Sequence, residues 1–344
     1  MRRYFVALLV LLIGGCGSKD GATGGSLTLM AHDSFADAVT DETFADFTTE
    51  TGFTVAVLRA GDAGAMTNQA VLTRDNPLAD VLFGIDDTFL TRGLGAGIFE
   101  RYESALLDQV PAELQLDPEH RVTPIDYGDV CLNYDKEAFT DLPPPETLED
   151  LVEPEYADML VVEHPATSSP GLAFLLATID RFGEDGWHTY WQGLFDNGTV
   201  VAPGWSQAYY GEFSGGGASE GDRPLVVSYA SSPPAEVIFS ETPLTEAPTG
   251  VVTDGCYRQI EFAGILAGTD QAEAAGTLID FLLSVEFQET IPLTWYVFPA
   301  NTNVELPEEF IAHTSLPPDP VQMTPELIET NRQRWLDEWA ELFG

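Results

Sequence analysis

Two stretches, far apart in a chain of 344 residues, open an extended segment with the same ingredients: Gly128-Asp129-Val130-Cys131 and Asp254-Gly255-Cys256. The elements around them alternate. Leu27 to Ala31 is a short apolar strand. A helix over Asp41 to Thr51 turns Phe44 and Phe47 inward and stops at Gly52, and Thr54 to Leu58 is the next strand. A β-α-β opening of this kind builds parallel sheets. Asp62 to Leu72 is helical, and Ala79 to Gly84 is a strand with the unbroken apolar middle of one buried on both faces. Val122–Asp126 and Val130–Tyr134 are extended, and Thr147 can cap a helix through Leu151. Further along come a strand over Leu160–Glu163, helices over Gly171–Arg181 and Trp187–Leu194, and strands over Val200–Ala202 and Leu225–Tyr229. Gly250–Thr253 and Tyr257–Phe262 are extended, and Glu273–Leu283 is an amphipathic helix. The tail, Thr324 to Leu342, is a helix capped by Thr324 with Pro325 in its first turn.

The class is therefore α/β. Tyr127–Asn133 and Thr253–Gln259 read as two crossings between lobes. Residues 26–128 open the first lobe, 129–255 form the second, and 256–344 return to the first and add the C-terminal helices. A disulfide between Cys131 and Cys256 would fix the hinge axis while leaving bending free; the competing reading is two buried free thiols.

The start of the chain sets its destination. Arg2 and Arg3 precede an apolar run, Tyr4 to Ile13, too short to span a bilayer. Residues 1–15 read as a signal peptide, and Cys16 behind two glycines reads as a lipidation site. Residues 16–25 are a Gly/Ser/Thr-rich leash. The expected product is an exported monomer, periplasmic or on the cell surface, held to the membrane by its lipid.

Charge narrows the partner. Asp plus Glu number 56 against 14 Lys plus Arg, a net charge of −42. Nucleic acid is excluded by repulsion, and a cationic ligand is favoured. A carboxylate coat dispersed in this way also suits a saline habitat. The five histidines have no metal-ligand spacing, and no Gly-rich loop ends in Lys, so neither metal nor cofactor is expected.

Ligands of open α/β sheets bind beyond the carboxyl ends of strands. Five loops there carry polar or aromatic residues. His32-Asp33-Ser34-Phe35 is the first. Ser168-Ser169-Pro170-Gly171 precedes a helix, where hydroxyls and free N–H groups suit phosphate or carboxylate; plain capping by either serine competes with that reading. The others are Gly204-Trp205-Ser206-Gln207-Ala208-Tyr209-Tyr210, Ser228-Tyr229-Ala230-Ser231, and Thr294-Trp295-Tyr296. An indole beside a carboxylate holds a flat cation, and Asp62 and Asp86 can supply the charge. Two other chemistries compete. The Tyr209-Tyr210 pair with His32 and a carboxylate would suit Fe(III). The segment around Ser206 approaches a nucleophile elbow but ends in Ala, and only His313 lies downstream, so no catalysis is expected.

At these residues the chain resembles the thiamine-binding proteins of bacterial ABC importers. The pieces come in order: AHDSF at 31–35, ADVLFGID at 79–86, PIDYGDVCLNYDK at 124–136, TSSPGLAFLL at 167–176, GWSQAY at 204–209, VVSYASSPPAE at 226–236, WYVFPANTNVELP at 295–307 and RQRWLDEW at 332–339. The resemblance implies a type II periplasmic-binding fold, two α/β lobes joined by a two-strand hinge. They would close on thiamine or its phosphate esters and dock on a membrane permease. Trp205 and Trp295 would contact the rings, Tyr229 would line the pocket, and Asp62 would meet the aminopyrimidine or the thiazolium charge. Ser168 and Ser169 would hold the hydroxyethyl end or its phosphate, with Ser206 as a further donor. His32, Asp33, Asp86, Gly171, Tyr209 and Ser231 complete the candidate set. His32 stands where better-known members carry Tyr, and Pro234, Ala235 and Glu236 occupy a stretch where a second aromatic is expected. A ferric-ion-binding protein of the same fold is the alternative.

Overall fold

A long antiparallel ribbon divides the molecule. In the computed structural model, which describes residues 24–217, 219–240 and 242–344, nine strands form one sheet: β1 Ser26–Ala31, β2 Thr54–Arg59, β3 Val81–Asp86, β4 Thr123–Asp135, β5 Leu160–Glu163, β6 Val200–Ala202, β7 Leu225–Tyr229, β8 Thr249–Ile265 and β9 Phe298–Pro299. Their order is β2-β1-β3-β8-β4-β7-β5-β6, with β9 on β4. Parallel pairing holds β1 to β2 and β3 at one end, and β5 to β6 and β7 at the other. The signal peptide, Cys16 and the leash up to residue 23 lie outside the described residues.

β4 and β8 are the ribbon, paired from Thr123↔Ala263 to Asp135↔Thr249. They change neighbours midway. The later part of β8 lies on β3, down to Asp86↔Glu261, and the later part of β4 lies on β7, from Val130↔Tyr229 onward. Each is one strand where the sequence reads as two extended pieces. Gly128 does not interrupt β4. A Cβ there would sit 2.8 Å from Cδ1 of Tyr229, so the glycine serves the close approach of that ring. Gly255 does mark an irregularity: its φ is +69°, and the register slips between Val130 and Leu132. Cys131 and Cys256 form a disulfide at this slip. The flanking aspartates also have tasks. Asp129 is buried and accepts from Arg258 Nε and Nη2, at 2.5 and 3.1 Å. Asp254 Oδ2 accepts the N–H of Leu148 at 3.3 Å.

Several helices differ from the sequence reading. The Asp41 helix begins at Ala45 because residues 41–44 form a turn. The stretch after Thr147 is a short 3-10 helix, Leu148–Val152, closed by a Thr147–Asp150 capping box. The helices expected at Gly171–Arg181 and Trp187–Leu194 are both present, lying on either side of a break at Gly183 (φ 70°, ψ 172°) within Ser169–Asp196. The C-terminal helix, Pro325–Phe343, is capped by Thr324, whose Oγ1 accepts from Leu327 N–H. It packs on both halves: Trp339 meets the Trp191 ring at 5.5 Å, and Arg332 Nη1 donates to Thr88 O at 3.1 Å.

The core follows strand alternation. Leu27, Leu29 and Ala31 of β1 join Phe35, Phe83 and Leu278 on one face, while Met30 joins Leu82 and Phe262 on the other. Burial on both faces is what a central parallel strand requires, and each large side chain so buried contributes about 1.5–3 kcal/mol.

Candidate functional site

The strand-end loops converge on a cleft of about 260 Å³ between the two halves. His32 follows β1 and caps the Asp33–Ala38 helix, its Nδ1 accepting Phe35 N–H at 3.3 Å. That leaves Nε2 facing Glu261 Oε2 at 3.5 Å. Gly84, at φ +93°, leaves room for this ring, since a Cβ there would overlap it. Burial disfavours the imidazolium, but Glu261, Asp62 and Asp33 outweigh it, and the His32 pKa lies above its ordinary value.

Asp62 caps the Ala63–Leu72 helix through Ala63 N–H at 2.7 Å. Its other oxygen accepts Trp205 N–H from across the cleft at 3.0 Å. Gly204 permits this: a Cβ there would lie 2.8 Å from Asp62 Oδ2. Nearby, Gly64 N–H donates to Thr167 O at 2.9 Å and Ser34 Oγ meets Ser206 Oγ at 3.4 Å, so the halves touch along one edge of the cleft.

Two indoles line the cleft from opposite halves, each half-buried. Trp205 stacks on Tyr209, with centroids 4.9 Å apart and planes at 19°, and donates to Ser228 Oγ at 2.8 Å. Trp295 meets Phe35 edge-on at 5.1 Å and reaches Asp126 Oδ2 through a long 3.5 Å contact. Tyr229 lies between them in the chain. Its hydroxyl oxygen accepts a hydrogen bond from Gln259 Nε2 at 3.0 Å, and the same amide donates to Glu261 Oε1 at 3.0 Å. Tyr209 is buried with its hydroxyl donating to Glu236 Oε1 at 2.9 Å.

The electrostatics are one-sided. Asp37, Asp62 and Glu261 line the cleft, and among the described residues no Lys or Arg does. Burial raises the pKa of Asp62. Behind the wall, burial and Glu261 hold Asp126 well above the usual carboxylate range. Burial pushes Asp86 up to about 6, although Ser169 and Thr88 moderate the shift. Aromatic faces with carboxylates and no Lys or Arg suit a flat organic cation.

Of the residues expected from sequence, His32, Asp62, Ser169, Trp205, Ser206, Tyr209, Tyr229 and Trp295 line the cleft. The others do not. Asp86 is buried, and its Oδ1 accepts from Thr88 N–H, Thr88 Oγ1 and Phe89 N–H. Asp33 accepts Gly61 N–H at 3.2 Å and orders the loop before Asp62. Ser231 donates to Tyr296 O at 2.6 Å. Ser168 is fully buried. Gly171 lets its helix approach β5, since a Cβ would come within 2.5 Å of Glu163 O. Sequence reading missed Glu261 and Asp37. For Glu261 the signal was present: a carboxylate within the otherwise apolar Ile260–Ile265 run of β8.

Comparison with known proteins gives this geometry a context. The family model described as bacterial extracellular solute-binding protein matches residues 76–318. The chain belongs to that family. Among curated members it is similar to the thiamine-binding periplasmic protein of Escherichia coli K12, at 31% identity over 279 residues, 81% of this chain and 80% of the relative. Among solved structures it superposes on a periplasmic thiamin binding protein with TM-score 0.80 and 27% identity, over 96% of this chain and all of that one. Iron-bound HitA from Pseudomonas aeruginosa shares the fold, with TM-score 0.73 and 19% identity over 92% of this chain and 99% of that one. This solute-binding protein has the type II periplasmic-binding fold, and the β4–β8 ribbon is the connection between its two halves.

Proposed function

We propose that the chain captures thiamine in the periplasm and hands it to the permease of an ABC importer. One observation carries the reading: two half-buried indoles from opposite halves flank an acidic cleft whose described lining includes no Lys or Arg. Trp205 and Trp295 would take the ring faces. Asp62 and Glu261 would balance the thiazolium charge, and Ser169 and Ser206 would meet the hydroxyethyl arm. Residues 26–128 and 256–344 would form one lobe and 129–255 the other. Ligand would favour the closed state because only there do both indoles and Asp62 meet it together. Residues 1–15 would direct export, and Cys16 would carry the lipid that tethers a monomeric receptor.

The iron alternative has less support. The Tyr209 hydroxyl is committed to Glu236, and burial raises its pKa well above the ordinary tyrosine value, opposing the phenolate that Fe(III) requires.

Thermal melting with saturating thiamine and, separately, with Fe(III) tests the reading. Thiamine should raise the midpoint by mass action. Absence of any shift with thiamine, together with a visible phenolate band on adding Fe(III), would reverse the assignment.

A further inference from the structure

We infer that Asp126 keeps a proton in the free protein and releases it when a cation enters the cleft, so that capture strengthens as pH rises. The inference rests on the thiamine reading and concerns a residue behind the cleft wall. Three carboxyl groups lie side by side on adjacent strands: Asp86 of β3 is opposite Glu261 of β8, and Glu261 is opposite Asp126 of β4. All three are buried. Like charges directly opposite one another destabilise a sheet, and a buried charge needs a partner.

Partners are scarce around this row. Among the described residues Glu261 has one ion-pair partner, His32, and Asp126 is moved only by burial, Glu261 and Trp295. His32 has only Nε2 to offer, because its Nδ1 accepts Phe35 N–H. Arg258 of β8 is committed to Asp129. From β7, Tyr229 turns its hydroxyl to Gln259, and β9 sets Pro299 opposite Asp126 with no ionisable side chain.

Hydrogen bonds decide which acid keeps the proton, because donors favour the ionised form. Asp86 Oδ1 accepts from Thr88 N–H, Thr88 Oγ1 and Phe89 N–H. Glu261 accepts from Gln259 Nε2 and faces His32. Asp62, the acid beyond His32, accepts two backbone N–H groups. Asp126 has an unpartnered Oδ1, and its Oδ2 has only the long 3.5 Å contact with Trp295 Nε1. It is the least supported as an anion.

A cation against the Trp295 ring changes this balance. Its charge takes the place of the proton: the Asp126 O–H bond breaks, the electron pair stays on the carboxylate, and the proton passes to a base of the buffer. The new carboxylate turns the long Trp295 contact into a charge-assisted hydrogen bond, which holds the indole against the ligand. Asp126 is thus a positioning residue that acts through Trp295.

Calorimetry with thiamine near neutral pH, in buffers of low and high ionisation enthalpy, counts the protons released. The wild-type protein should release about one, and its affinity should rise by up to about tenfold per pH unit between about pH 6 and pH 8. The gain ends once Asp126 ionises in the free protein as well. Asp126→Asn should release essentially no proton and bind thiamine more weakly, with a flatter pH profile. Titration of the ligand itself is common to both proteins and cancels in the comparison. Infrared difference spectra on adding thiamine should show loss of a protonated-carboxyl band in the wild type only. Thiamine binding without proton release by the wild type overturns the inference, whether or not the variant folds, and leaves the vitamin reading standing. Proton release that persists in Asp126→Asn overturns it too, and assigns the proton to His32 or Asp62. If thiamine does not bind at all, the vitamin reading fails and this inference fails with it.

Discussion

Replacing Trp205 with alanine is the sharpest test of how the cleft holds a cation. The indole is fixed on one face by Tyr209 and at its edge by Ser228. Truncation therefore removes a surface that is already organised in the free protein. A desolvated cation over an indole is worth roughly 2 kcal/mol, and a well-placed aromatic pair adds about 0.5–1.5 kcal/mol. The total falls in the range of ~2–4 kcal/mol seen at buried aromatic hot spots. It corresponds to a loss of thiamine affinity of about thirtyfold to a thousandfold. The fold should tolerate the change. Trp205 is only half-buried, and Ser228 Oγ keeps its 2.8 Å partner Ser232 Oγ, so no buried hydroxyl is orphaned. Titration calorimetry of Trp205→Ala beside Trp205→Phe gives the measurement. The phenylalanine retains a stacking face and should lose about tenfold or less. Unchanged affinity in the alanine variant, with an unchanged melting point, would mean that the indole is not a ligand contact.

Other consequences can be measured as well. Burial and Asp86 push Asp87 up to about 8, and burial pushes Asp86 up to about 6. Both are raised in the fold, so their stabilising contribution is complete below the ordinary Asp range and is lost as pH rises through 6 and then 8. The melting point should therefore decline from about pH 5 to pH 9; a rise over that range would contradict these positions. Cys131 and Cys256 are 125 residues apart, and a loop of that order contributes roughly 4–5 kcal/mol of chain-entropy stabilisation. Paired serine substitutions should lower the denaturation midpoint strongly, and an unchanged midpoint would show the link to be energetically idle. Gly128→Ala would place a Cβ against Tyr229 and Val297. Displacing that ring should weaken thiamine binding about tenfold, in line with small misplacements of a binding group; equal binding by the variant would remove Tyr229 from the site.

Much of the architecture was legible because buried parallel strands declare themselves. Leu160–Glu163 and Leu225–Tyr229 are apolar runs with clear ends, and the structure keeps those bounds. The ribbon was harder to read. Gly128 and Asp254-Gly255 resemble breakers, yet only Gly255 takes a left-handed conformation, while Gly128 stays extended to accommodate a side chain from another strand. Local sequence carries no record of that contact. The site divides in the same way. Trp205, Trp295 and Asp62 stood out because large or charged side chains at strand ends are conspicuous. Asp86 and Ser231 stood out equally, but turn backbone and a distant carbonyl use them. Glu261 was overlooked because it sits inside a strand, where alternation draws the eye to its apolar neighbours.

The position of β8 between β3 and β4 has a consequence for how the molecule is made. The first three strands have an unpaired edge at β3 until residues 249–265 arrive to cover it. Pairings of such long sequence separation form late and slowly. A chain threaded through a membrane from its N-terminus would expose that edge for most of its passage, and open edges invite aggregation or proteolysis. Products truncated before Thr249 should therefore be short-lived rather than partly active, because the segment that covers the β3 edge is also the one that links it to β4 and the rest of the sheet.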